Sequence, residues 1–188
     1  LLVNANATDS ADTNGSEIFG TLQDVFSLHQ KRSSGMIPEQ VVAAFANMAI
    51  DAVSAMHECG VVHNNIGMDS FLVVKRNDAS STKRKKDDQR DEWFLQLIGF
   101  GDKSVVLTCH EHACRKSHYE HDYNCLANVI HQLVTGGVGI TFNINQDGYV
   151  EFASKQFING NLFLRGALSW CALMDALLGI GDVQQSDT

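Results

Sequence analysis

The chain has 188 residues, 44% of them hydrophobic, which suits one domain with a sizeable core and excludes a disordered segment. Its formal net charge of −8 argues against nucleic acid as the main partner, because phosphate binding needs a clustered positive surface. No run of about 18 apolar residues is present, so no membrane-spanning helix is expected. Cys59, Cys109, Cys114, Cys125 and Cys171 are odd in number and irregular in spacing, unlike a disulfide framework. They point to a reducing, intracellular compartment. In that compartment the sequons at Asn6 and Asn14 are chance matches. The start on Leu1-Leu2-Val3, with no Met and no signal peptide, reads as the middle of a larger protein.

In chain order, Leu1 to Val3 fits the end of a strand, and the polar stretch 4–16 predicts a loop. Gly20-Thr21-Leu22 leads into a short helix carrying Leu22, Val25, Phe26 and His29 at helical spacing. Pro38 suits the first turn of a long helix, where its missing N–H costs nothing. Val41, Phe45, Met48, Ala52 and Met56 form one apolar stripe of that helix, and Val42, Ala46, Ala49 and Val53 a second. A helix apolar on two faces is expected to be buried. Gly60 is its stop signal.

Val61-Val62 is a short β-like run, and 71–74 and 94–98 predict two strands. Residues 75–92 between them read as a charged hairpin insertion. Its Lys83-Arg84-Lys85-Lys86 cluster, beside Asp87, Asp88 and Asp91, reads as a solvated mixed-charge loop, with a nuclear-import or docking patch as the sharper alternative. A second buried helix is predicted from about Asp122 to Thr135, ended by Gly136 and Gly137. A hairpin follows around Gln146-Asp147-Gly148, and Phe163, Ala167, Trp170, Met174 and Leu177 mark a final amphipathic helix.

Three motifs in order carry a resemblance. The first runs from Met56-His57 through Gly60 and Val61-Val62 to His63-Asn64-Asn65-Ile66-Gly67-Met68-Asp69-Ser70, before a strand. The second is Leu97-Ile98-Gly99-Phe100-Gly101. The third is Asp122, opening the helix to Thr135. Together they resemble the C-terminal lobe of the protein kinase superfamily, with its His-x-Asp-x-Lys-x-x-Asn loop and Asp-Phe-Gly motif.

The resemblance implies a mainly α (α+β) fold, a kinase-like hinge plus C-terminal lobe over residues 1–188, with short β hairpins. No glycine-rich phosphate loop is found, so the small lobe is expected to lie outside this chain. It also implies roles for the matched positions. Asn65 stands where the family has its base, and a neutral amide cannot act as a carboxylate. Gly67 replaces the phosphate-steadying Lys with no charge. Ser70 replaces the metal-binding Asn with a poorer magnesium ligand. Gly99 replaces the main magnesium carboxylate. His63, Phe100, Gly101 and Asp122 are retained scaffold positions. From Gly99 to Asp122 is 23 positions, and the only proline is Pro38, so an Ala-Pro-Glu ending to an activation segment is absent.

Gly20-Thr21-Leu22, the short activation segment and the tail with Trp170 and Gly181-Asp182 resemble the Bub-type mitotic checkpoint serine/threonine kinases, their Bub-related pseudokinase branch above all. The resemblance implies a pseudokinase of serine/threonine kinase lineage, inactive or very weak. It further implies a stability or docking scaffold that works with checkpoint and kinetochore proteins, in cytoplasm and nucleus and at the kinetochore in mitosis. No cofactor is then required, and Mg-ATP binding depends on an intact upstream lobe. An atypical active kinase using Asp69 or Asp102 for magnesium is the alternative. A zinc-binding interaction module is a further one, with Cys109, His112, Cys114 and His118 as ligands, at a spacing that fits no familiar finger. The plainer reading of that stretch is a histidine-rich loop.

Overall fold

Glycine and a capping threonine decide how the chain enters its first helix. In the computed structural model, which describes residues 16–32, 37–76, 92–101, 105–106, 112–144, 150–152, 158 and 164–180, strand β1 (Ser16–Thr21) runs directly into helix α1 (Leu22–Arg32). Gly20 has φ +122 and sits where the register of β1 against its neighbour shifts, a conformation that side chains rarely adopt. Thr21 Oγ1 then accepts from the Asp24 N–H at 3.1 Å, while the Asp24 carboxylate accepts from the Thr21 N–H at 2.9 Å and from its hydroxyl at 2.7 Å. This reciprocal box satisfies donors that the helix start leaves open.

Helix α2 (Glu39–Glu58) begins at Pro38, whose carbonyl accepts from the N–H groups of Val41 and Val42. Val42, Phe45, Ala46, Ala49, Val53, Met56 and His57 are its buried residues, at the spacing of a helix face. Gly60, at φ +73, turns the chain out of it. Strand β2 (Val61–Val62), a 3-10 turn (Met68–Ser70), strand β3 (Phe71–Arg76) and strand β4 (Glu92–Leu97) follow. The order β1-β3-β4 makes a three-stranded antiparallel sheet, with β3 and β4 in register from Phe71↔Leu97 to Arg76↔Glu92. The charged insertion thus narrows to residues 77–91, which lie outside the described residues, as does the expected strand end at Leu1 to Val3.

Strand β5 (Val105–Val106) pairs with β2, and strands β6 (Phe142–Ile144) and β7 (Val150–Phe152) form the expected hairpin. Helix α3 (His112–Thr135) and helix α4 (Ala167–Leu178) complete the fold. The core lies where α3 packs on α2 and α4, with the sheet against α2; Leu126, Ile130, Phe71, Val53 and Met174 are fully buried in it. The chain is mainly helical with short antiparallel strands, as expected.

Three expectations need correction. Helix α3 starts ten residues before Asp122, so Asp122 lies in its middle and does not open it. The stretch from His112 is accordingly helical rather than a loop. Its early turns lack the apolar stripe that betrays a helix in sequence, and the stripe begins only near Asp122. The assigned polar loop, 4–16, ends one residue early, because Ser16 pairs with Arg76 in β1. The strand leaves little trace in the sequence because Gly20 breaks its β-like pattern.

Candidate functional site

The chain leaves α2 at Gly60, passes through β2, and enters the loop His63 to Ser70 over the middle of α3. Asn64 holds φ 62 there, a left-handed conformation that asparagine tolerates better than most residues. Asp122 lies fully buried beneath the loop. Its Oδ2 accepts from the His63 N–H at 2.8 Å and its Oδ1 from the Asn64 N–H at 2.8 Å. The His57 ring donates to the same carboxylate from Nε2 at 3.0 Å. Burial pushes the Asp122 carboxyl up, but the hydrogen bonds from His57, His63 and Asn64 outweigh it and hold the group below the usual carboxylate range.

Helix α3 also holds His57 in place. Tyr119 stacks on the His57 ring at 4.1 Å and donates to the His57 carbonyl at 2.9 Å, while Tyr123 meets the ring edge-on at 5.0 Å. Tyr119 and Tyr123 are four apart, on one helix face with Asp122 between them. His57 and Tyr119 were missed as site residues in the sequence. The available signal was the Tyr119, Asp122, Tyr123 spacing, which has meaning only once α3 is extended toward His112.

The replaced positions show what the loop can do chemically. Ser70 is buried, and its hydroxyl accepts from the Gly67 N–H at 3.0 Å and donates to the Asn65 carbonyl at 3.1 Å. The hydroxyl that stands in the metal-ligand position is therefore occupied within the loop. Asn65 and Asp69 are exposed. A Cβ built on Gly67 meets Asp69 Oδ1 at 2.5 Å, so the Asp69 carboxylate fills the space that a side chain at position 67 needs. Asp69 is the one charged Asp, Glu, Lys or Arg from His63 to Ser70, so the loop carries no cation for a phosphate.

The second motif lies alongside. The His63 ring donates from Nε2 to the Ile98 carbonyl at 2.9 Å, and the Ile98 N–H donates to the Ser70 carbonyl at 2.8 Å. Gly99 follows at φ +84, with the His63 ring 3.8 Å from a Cβ built there. Phe100 is 52% exposed, its ring 5.1 Å from that of His63, and Gly101 is exposed beside it. The structure thus brings Asn65, Gly67, Ser70 and Gly99 to one region, with His63 and Asp122 beneath.

Asp102 and Cys109 lie outside the described residues. His112, Cys114 and His118 fall within the first two turns of α3, where positions 112 and 114 do not share a helix face. Among the described residues, no group of three or more His, Cys, Asp or Glu is placed to hold a metal ion. No helix among them is long and apolar enough to cross a membrane.

No protein-family model matches the chain. Over 58 residues it is 31% identical to mouse "Mitotic checkpoint serine/threonine-protein kinase BUB1", a match covering 31% of this chain and 6% of that protein. The crystal structure of the BubR1 kinase domain superimposes at TM-score 0.60 and 21% identity, covering 85% of this chain and 49% of that one. The crystal structure of the Rad53 kinase domain and SCD2 gives TM-score 0.48 and 15% identity, covering 93% of this chain and 66% of that one. The chain spans about half the length of the BubR1 kinase domain and a small part of the curated relative. The chain has the protein kinase fold, in the form of its helical C-terminal lobe, and over 58 residues it is similar in sequence to a mitotic checkpoint serine/threonine-protein kinase.

Proposed function

We propose that this chain is the non-catalytic, kinase-like lobe of a mitotic checkpoint protein, acting as a stability or docking scaffold at kinetochores. The observation that carries this reading is the Ser70 hydroxyl, tied to Gly67 and Asn65 inside the loop rather than turned to a metal. Three further features support it. Asn65 supplies no carboxylate base, Gly67 no cation, and Gly99 no magnesium ligand. The loop nevertheless keeps a buried clamp in Asp122, so the shape outlasts the chemistry. No cofactor is required. The partners in this reading are checkpoint and kinetochore proteins, and the chain resides in the cytoplasm and nucleus and reaches the kinetochore in mitosis.

The test is a thermal shift of the parent protein with and without Mg-ATP, run beside a phosphotransfer assay. A ligand that binds only the native state adds roughly 2.7 kcal/mol at 100 times its Kd. The scaffold reading expects no magnesium-dependent shift at millimolar ATP and no transfer. Transfer that disappears on Asn65→Ala sinks it. One observation favours an atypical active kinase as the second reading: the exposed Asp69 carboxylate occupies the side-chain space at Gly67. That reading expects transfer that disappears in Asp69→Asn.

A further inference from the structure

We infer that Tyr119 is a positioning residue for the loop 63–70: its ring holds the His57 imidazole against Asp122, so the part of α3 before Asp122 and the loop yield together. His57 is 7% exposed and lies against two rings of α3. Tyr119 covers its face, with ring centroids 4.1 Å apart and an interplanar angle of 18°, and Tyr123 meets it edge-on at 5.0 Å and 89°. The imidazole donates from Nε2 to the Asp122 carboxylate at 3.0 Å. Its Nδ1 is buried with no hydrogen-bond partner among the described residues. A ring bonded at one nitrogen can pivot about that nitrogen, and a buried, unpaired Nδ1 favours any movement that brings it to water. The stacked Tyr119 ring blocks that movement.

The effect reaches the loop because the Asp122 carboxylate is shared. Its Oδ2 accepts from both His57 Nε2 and the His63 N–H, and its Oδ1 accepts from the Asn64 N–H. An imidazole that swings away takes one donor from Oδ2 and opens the packing around the carboxylate that holds the loop. The Tyr119 hydroxyl is the lesser part of the device. It donates to the His57 carbonyl at 2.9 Å, but that carbonyl also accepts from the Gly60 N–H at 2.9 Å. The ring, and not the hydroxyl, therefore carries the coupling. Helix α3 begins at His112, about two turns before Tyr119. Unwinding as far as Tyr119 removes the ring from His57, so the start of α3 controls a loop that it reaches only through His57 and Asp122.

The role concerns the loop's shape and stands whether or not the loop transfers phosphate, so its test is separate from the assay above. Amide hydrogen exchange is followed by NMR on the full chain for Tyr119→Ala, Tyr119→Leu and Tyr119→Phe. In Tyr119→Ala the His63 and Asn64 amides exchange about fivefold faster than in the unaltered chain, the scale of one hydrogen bond. Tyr119→Leu, which keeps apolar bulk without the flat ring, gives the same change at smaller size and serves alone if the alanine variant does not fold. Tyr119→Phe keeps the stack and leaves both amides protected. The Val73 and Val74 amides of β3 stay unchanged throughout. In a His57→Ala background the Tyr119 substitutions add nothing at the loop. Loop amides indifferent to loss of the ring overturn the inference. So does equal acceleration in β3, which reports general destabilisation instead of positioning. So does a phenylalanine variant that exchanges as fast as the alanine or leucine one, or an effect that persists without His57.

Discussion

His57 and Asp122 are 65 positions apart in the chain, yet His57 Nε2 and Asp122 Oδ2 lie 3.0 Å apart in the core, each almost wholly shielded from solvent. One belongs to the last turn of α2 and the other to the middle of α3, so this contact pins the two main helices at the point where the loop leaves α2. The same carboxylate receives two loop N–H groups, which makes helix packing and loop shape one mechanical unit.

That coupling makes Asp122→Ala the most damaging single change expected at the site. Three donors lose their acceptor in a buried place, and breaking a buried pair by removing one partner costs about 3–5 kcal/mol. His57→Ala leaves the carboxylate with its two backbone donors and costs less. Urea denaturation checks the order. Equal loss in the two variants means that the pair, and not the loop anchorage, dominates.

A second anchor joins the ends of the fold. The Glu39 carboxylate, at the start of α2, accepts from the Trp170 indole at 2.9 Å and from the N–H groups of Arg165 and Gly166 at 2.9 Å each. Burial pushes the Glu39 carboxyl up, but the bonds from Trp170, Gly166 and Arg165 hold it below its ordinary value. Glu39→Ala frees Trp170 and the start of α4 together. In a Trp93→Phe background the remaining tryptophan reports on this directly. A red shift of its emission is expected in the folded variant, with a loss of about 1–2 kcal/mol. Unchanged emission contradicts the anchor.

Much of this was legible in the residues and some was not. The loop and the Gly99-Phe100-Gly101 strand end are contiguous, so their order and spacing survive in sequence. The apolar stripes of α2 likewise give its buried face. Asp122 looks like a helix opener in sequence because only the turns after it carry apolar periodicity. The contacts of Glu39 with Arg165, Gly166 and Trp170 span 126 to 131 positions, and no local pattern encodes them. Nor could sequence show that Ser70 turns its hydroxyl inward, since either orientation suits a serine.

Acid should unfold the chain in two stages. Burial pushes the His131 ring below its ordinary 6.5, against its hydrogen bond to the Val138 carbonyl. A base depressed in the folded state contributes stability above its unfolded pKa, and that contribution is lost as pH falls. Asp122 and Glu39 are depressed carboxylates, so their contributions are also lost toward acid, but from about 4.5 downward. The urea midpoint should therefore decline first as pH falls below about 6.5, then again below about 4.5. One proton is worth about 1.4 kcal/mol per pH unit. His131→Asn, which can keep the bond to Val138, should flatten the first decline and leave the second. A first decline that persists in this variant assigns it elsewhere.

Restoring the family's side chains at the loop should expose two different obstacles. At Gly67 the backbone is extended, and the obstacle is the Asp69 carboxylate, 2.5 Å from a new Cβ. That group ends a short, exposed side chain and can swing away. At Gly99 space is available, but φ is +84, and a side chain there costs roughly 1–2 kcal/mol whatever its chemistry. Gly67→Ala and Gly99→Ala separate the two. The loss in Gly67→Ala should be small and should vanish when Asp69→Ala is added, because the two residues compete for one space. The loss in Gly99→Ala should match that in Gly99→Asp and ignore Asp69. Denaturant midpoints of the single and double variants decide the matter. A Gly67→Ala cost that survives removal of Asp69 places the obstacle in the loop backbone, and a Gly99→Asp variant as stable as the original removes the conformational one.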